Sequence, residues 1–190
     1  MAKKKLTKFF SVGSKVLFYF FLVSGLLVTV LEAITIFNPK GKVAEGLGGF
    51  EPIYGTFNLT FDKEPALYDE QSFQLLSLAD TVVLFAFVTL LFLLLHKLLK
   101  NVHEEQVFMY ENVSLLFKLG LLVLVIGSVS TLLGEILSAR ALEQLTVTNA
   151  DLSYTPFAFA DFIITGIVLI VISVTLKKAV HAVKENEETI

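Results

Sequence analysis

The sequence predicts an all-α membrane protein, a four-transmembrane-helix bundle with a small extracytoplasmic β cap. Three observations lead there. Of the 190 residues 55% are hydrophobic, and mean hydropathy is +0.75, above what a soluble domain carries. Four apolar runs each reach the roughly 20 residues that cross a bilayer. Lysine and arginine are distributed unevenly between the segments joining those runs.

The first element opens with a basic stretch holding Lys3, Lys4, Lys5, Lys8 and Lys15 and no acid. An apolar run over 16–37 follows. A signal peptide also begins with lysines, but its apolar region spans about 7–15 residues before a small-residue cleavage site. This run is longer and ends at Ile34-Thr-Ile-Phe-Asn-Pro39, so it reads as an uncleaved membrane helix. Asn38-Pro39 stops it, because proline disfavours the helical conformation of the residue before it.

Residues 38–76 form a polar outer loop, with a flexible Gly46-Leu-Gly-Gly49. Over 50–61, Tyr54, Thr56, Asn58 and Thr60 alternate with Gly55, Phe57, Leu59 and Phe61. A period of two rich in threonine and aromatics suggests a strand. Leu145-Thr-Val-Thr148, in the other outer loop, is its candidate partner.

The second span covers 77–97 and is almost entirely Leu, Phe and Val. With almost no small residues, it is expected to show the most surface to lipid. The turn 98–112 is short, charged and rich in helix formers, as a hairpin between two membrane helices requires. The third span covers 113–137, where Gly120, Gly127 and Gly134 recur at heptad spacing. That spacing puts glycine on one slowly drifting face. Glycine admits a neighbouring backbone, which drives packing in lipid, so this helix is the expected centre of the bundle.

Residues 138–155 form the second outer loop. Thr155 and Pro156 suit the cap and first turn of a fourth span over 156–176. The tail 177–190 starts at Lys177-Lys178 and sets Leu176, Val180 and Val183 on one side. It reads either as an extension of the fourth span or as a surface helix for a partner or anionic lipid.

The basic residues orient the chain. Eleven of the 15 lie in the N-terminal stretch, the central turn and the tail; Lys40, Lys42, Lys63 and Arg140 fall on the other side. The richer side is expected in the cytoplasm. Both termini and the central turn are then on the cytoplasmic side of the membrane, and both long loops outside.

Four carboxylates punctuate the spans: Glu32, Asp80, Glu135 and Asp161. All four are expected toward the outer end, and Glu32 lies a heptad from Gly25 on the packed face of its helix. Acids are costly in hydrocarbon. Four at one depth suit a cation site, a proton-linked site or a hydrogen-bonded cluster. The plainer reading, preferred here, is that each ends its apolar run and reaches outside water, with Arg140 or Lys40 neutralising some. His96, His103 and His181 fit no metal spacing. Asn58-Leu-Thr60 and Asn112-Val-Ser114 match the glycosylation pattern, which recurs by chance. No protease, nucleophile-elbow, phosphate-loop or flavin fingerprint is present, and there are no cysteines. No cofactor, metal, enzymatic activity or direct nucleic-acid contact is expected.

Phe108-x-x-Glu111-Asn112-Val113-x-x-Leu116-x-x-Leu119-Gly120 starts the third helix, with Glu111 favoured near its positive end. This string resembles DUF2975, a bacterial family of small four-span membrane proteins of unknown function. The acidic tail ending in Thr189-Ile190 resembles that family's ending too. Glu105-Gln106-Val107 departs from it, standing where the family has Gly-x-Pro. The resemblance implies the four-span fold and Phe108, Glu111, Asn112 and Gly120 as motif residues, but no activity. It also implies, through neighbouring genes, a link to small helix-turn-helix regulators.

The expected function is thus a non-enzymatic sensory, regulatory or protective role, exerted through the outer cap and the cytoplasmic surface. The expected partners are the lipid bilayer, a cytoplasmic regulator or a second copy of the chain. The alternative is an ion- or proton-coupled, transporter-like protein built on the four carboxylates.

Overall fold

A computed structural model describes residues 2–54, 59, 61, 63–145 and 159–188. Helix α1 spans Ala2–Phe37, α2 Lys42–Leu47, α3 Gln71–His103, α4 Tyr110–Leu121, α5 Ser128–Leu142 and α6 Phe159–Glu188. A 3-10 turn, Ala66–Asp69, precedes α3. A π-helical segment, Leu122–Gly127, joins α4 to α5, so these three form one continuous rod. Among the described residues four helices are long and apolar enough to cross a membrane: α1, α3, the α4–α5 rod and α6. The chain is a multi-pass, four-helix membrane protein.

The helices run past the expected spans at their inner ends. Lysine is a good helix former, so neither the basic N-terminal stretch nor the Lys177-Lys178 step interrupts a helix. The tail continues α6 to Glu188. The break between α3 and α4 narrows to six residues, 104–109. Thr155 and Pro156 lie outside the described residues.

Antiparallel neighbours follow chain order: α1 packs on α3, α3 on the α4–α5 rod, and the rod on α6. The second span is therefore not the lipid-facing one. Among residues 71–103 four large apolar side chains are exposed, against fourteen in α1, which packs on a single membrane helix. Having few small residues does not keep a helix at the edge when the hairpins on both sides of it fold back against it. The rod's apolar window is the most buried of the four.

Cross-helix contacts fix which ends lie together. Thr7 Oγ1 lies 3.2 Å from His103 Nδ1, and Lys184 Nζ sits 4.8 Å above the Tyr110 ring. Both helix termini and the α3–α4 turn therefore share one end, called the inner end below. Glu32, Ser77 and Arg140 lie toward the other.

The β cap is not found: no strand occurs among the described residues. Residues 55–58 and 60 of the alternating stretch lie outside the described residues; Phe50, Tyr54, Leu59 and Phe61 pack on helix ends. Tyr54, Leu67, Tyr68, Phe73, Leu137 and Ala141 form one cluster, with Phe50, Leu59 and Phe61 against it. Phe50 and Phe61 meet Tyr68 edge-on, and Tyr68 stacks on Phe73 at 5.9 Å. Gly48 and Gly49 take φ of 88° and 97° and close α2, their amides bonding to Glu45 and Ala44. Of the candidate partner strand, 146–148 lie outside the described residues.

Candidate functional site

The acids meet α3 from both sides. On α1, Gly25 and Glu32 share the face turned to α3. A Cβ at Gly25 would lie 2.7 Å from Phe85, and Ser77 Oγ donates to Glu32 Oε1 at 2.6 Å. The other oxygen, Glu32 Oε2, is buried with no hydrogen-bond partner among the described residues. Asp80, one turn further along α3, is within Coulombic reach of Glu32. Across α3, a Cβ at Gly134 would lie 3.6 Å from Asp80 Oδ1. Glu135, the next residue of α5, is buried at 7% exposure.

Glu32 and Asp80 thus approach each other, and Glu135 is buried beside the helix face that meets Asp80. Asp161 stands apart and exposed. Its neighbour Phe162 packs on Gly127 and meets the Phe87 ring at 5.6 Å. Phe87 is seven residues from Asp80, so Asp161 lies about 10 Å deeper at 1.5 Å per residue. Arg140 does not neutralise these acids. It pairs with Glu70 at 2.6 Å and stacks its guanidinium 5.5 Å over Phe73. Among the described residues no three His, Asp or Glu side chains group as a metal site.

The three heptad glycines meet different neighbours. Gly120 faces Gly166 and Ile170 on α6, Gly127 faces Phe162, and Gly134 faces Asp80. The tightest crossing is Gly120 against Gly166, where an added Cβ would lie 3.0 Å from the Gly166 carbonyl. The π-helical segment starts two residues beyond, at Leu122. A π segment carries an extra residue with poorer hydrogen bonding, and such segments recur at functional sites. The apolar run Leu122–Gly127 carries no sequence signal for it.

At the inner end Asn112 organises the turn. Its side chain is 1% exposed. Its amide donates to the carbonyls of Gln106 at 2.6 Å and Val107 at 2.8 Å, and its oxygen accepts from Asn101 Nδ2 at 2.8 Å. Helix α3 closes in a Schellman motif: the Gln106 amide bonds to Asn101 O and that of Glu105 to Val102 O. Glu105 takes φ 65°. That left-handed position favours glycine, and it is where the resembled pattern has one. Glu111 and Phe108 are exposed. His96 Nδ1 lies 2.9 Å from the Ser11 carbonyl, which can only accept, so Nδ1 carries the proton. His181 lies 3.4 Å from Glu185. The imidazoles thus serve helix contacts and a surface pair. Sequence reading missed Ser77 and Asn101, single polar residues within apolar helices that gain meaning only from their partners across the interface.

On the outer cap, Tyr54 Oη and Tyr68 Oη are 3.0 Å apart. Burial, with Tyr68 beside it, pushes the Tyr54 phenol above its ordinary range.

The fold and these contacts define a four-span α-helical membrane protein with a tied inner turn and with Glu32, Asp80 and Glu135 grouped around α3. The family described as "Protein of unknown function (DUF2975)" matches residues 59–190, and the chain belongs to it. Comparisons with curated proteins and with solved structures return no match.

Proposed function

We propose that the chain is a non-enzymatic protein of the bacterial cytoplasmic membrane with a sensory, regulatory or protective role. Its termini and α3–α4 turn face the cytoplasm, as the excess of lysine at that end favours. The observation that carries this reading is the π-helical segment Leu122–Gly127, midway between the outer acids and the Asn112 turn and packed against α6. A helix with one residue too many per turn has two nearby registers, and such bistable elements convert a change at one end into a shift at the other. The inner surface then addresses a cytoplasmic regulator or a second copy of the chain.

Deleting Val125, an exposed residue of that segment, restores α-helical register. The variant should fold and insert, yet lose the transcriptional response of neighbouring genes to envelope stress. Truncation after Leu176 should do the same. An unchanged response in both variants removes the regulatory reading.

A second reading has a specific observation behind it: the buried, unpartnered Glu32 Oε2 beside Asp80. An ion- or proton-coupled role would use Glu32, Asp80 and Glu135, with Asp161 deeper on the exposed face of α6. The row of helices, with α3 the one membrane helix against which α1 packs, encloses little interior for a pathway within one protomer. That is why this reading stands second. Reconstituted protein should move cations or protons, and Glu32→Gln should stop it; equal flux in the variant sinks it.

A further inference from the structure

A crevice of about 320 Å³ opens between α4 and α6 at the inner end. Phe117 and Val174 line its part toward mid-membrane, and Tyr110, Ser114 and Lys177 its mouth toward the inner end. We infer that this crevice binds an anionic phospholipid, the phosphate held at Lys177 and Ser114 and an acyl chain lying along Phe117 and Val174.

Position argues for a lipid. Helices α4 and α6 belong to membrane spans, and the crevice lies where both approach the inner end. A ligand there has one part in hydrocarbon and one at the headgroup level. Charge argues for an anion. Lys177 makes no ion pair among the described residues, and Lys178, Lys184 and Lys118 stand exposed at the same end. Lys184 is held over the Tyr110 ring, beside the mouth. The one acid in the first turn of α4, Glu111, does not line the crevice.

The hydroxyls argue for a hydrogen-bonding headgroup. Ser173 is already spent, donating to the Val113 carbonyl at 2.9 Å. Ser24, Ser128, Thr131 and Thr175 fold back onto their own helices. Ser114, exposed in the crevice, makes no side-chain hydrogen bond among the described residues, which leaves its donor for a ligand. The start of α4 adds its positive dipole end to the same mouth. This inference does not depend on the regulatory reading.

The test is lipid retention by the full-length protein in detergent, followed by native mass spectrometry. The probes are phosphatidylglycerol, phosphatidylcholine and soluble glycerol 3-phosphate. Phosphatidylglycerol should be retained over phosphatidylcholine, and glycerol phosphate should not compete. Lys177→Gln should weaken retention about fivefold, the size expected for one lysine at a membrane surface. Lys178→Gln removes the same charge outside the crevice and should change it little; Lys177→Arg should restore it. Equal retention of both lipids overturns the inference, and so do equal losses in the two glutamine variants. Competition by glycerol phosphate would assign the site to a free phosphate instead. All three variants alter exposed side chains, and helical circular dichroism checks that each is folded.

Discussion

Replacing Asn112 by alanine should loosen the inner turn by an amount the contacts allow one to work out. The side chain makes three hydrogen bonds at 2.6–2.8 Å and is all but inaccessible to water. A net contribution of about 1 kcal/mol per bond gives roughly 3 kcal/mol. The Gln106 and Val107 carbonyls lie in an exposed turn and recover some water, while the buried Asn101 amide does not. The expected loss is therefore about 2–4 kcal/mol, a fall in Tm of roughly 5–15 °C for a chain of this size. Asn112→Asp is the sharper variant. It keeps the shape and the acceptor for Asn101 but sets a carboxylate against two carbonyls, so at neutral pH it should cost at least as much as alanine. Thermal unfolding in detergent, followed by helical circular dichroism, measures both. A double-mutant cycle with Asn101→Ala should give a coupling of about 1 kcal/mol. Asn112→Asp melting within a degree of the wild type would refute the assignment of this turn to Asn112.

Three further outcomes follow from the same contacts. Glu105→Gly relieves a left-handed backbone and should raise stability by about 0.5 kcal/mol, whereas Glu105→Val should lower it by about 1 kcal/mol; a lower melting temperature for the glycine variant contradicts this. Gly166→Ala would drive a Cβ to 2.7 Å from the Leu124 backbone nitrogen and 2.8 Å from the Gly120 carbonyl. It should cost about 3 kcal/mol, while Gly134→Ala, whose nearest neighbour is at 3.6 Å, should be tolerated; equal melting curves would show that the Gly120–Gly166 crossing is loose. Tyr54, raised in the folded state above the usual 10.0 of a phenol, stabilises the cap fully below about pH 10. That contribution is lost as pH rises above it. Tyr54→Phe should flatten the alkaline fall in stability, and an unchanged alkaline limb would contradict the burial of that phenol.

Much of the fold was legible because bilayer thickness and lysine placement are coarse, strong signals. The four spans and the short hairpin at Asn101–Asn112 follow from apolar runs and charge alone. What failed did so for local reasons. Tyr54 from one side of the alternation and Leu59 and Phe61 from the other pack on the same cluster around Tyr68, Phe73 and Leu137, so a short period-two pattern did not mark a two-faced strand there. The lipid exposure of the second span was misjudged because neighbour number depends on chain order as well as residue size. The π segment at Leu122–Gly127 has no residue signature. Of the candidate site, the sequence identified the acids and the face shared by Gly25 and Glu32. It did not show that Ser77 holds Glu32, that Arg140 turns to Glu70, or that Asp161 sits two turns from the others. Those depend on helix register, which a single apolar sequence leaves undetermined.

The chain has no cysteine, so single cysteines at Gly46, Gln106 and Asn186 report sidedness without background. With a membrane-impermeant thiol reagent on intact cells, Gly46→Cys should label at once. Gln106→Cys and Asn186→Cys should label only after the membrane is opened. Labelling of either of the latter two from outside would contradict the placement of the Asn112 turn and the α6 tail in the cytoplasm, and with it the outward position of the acids.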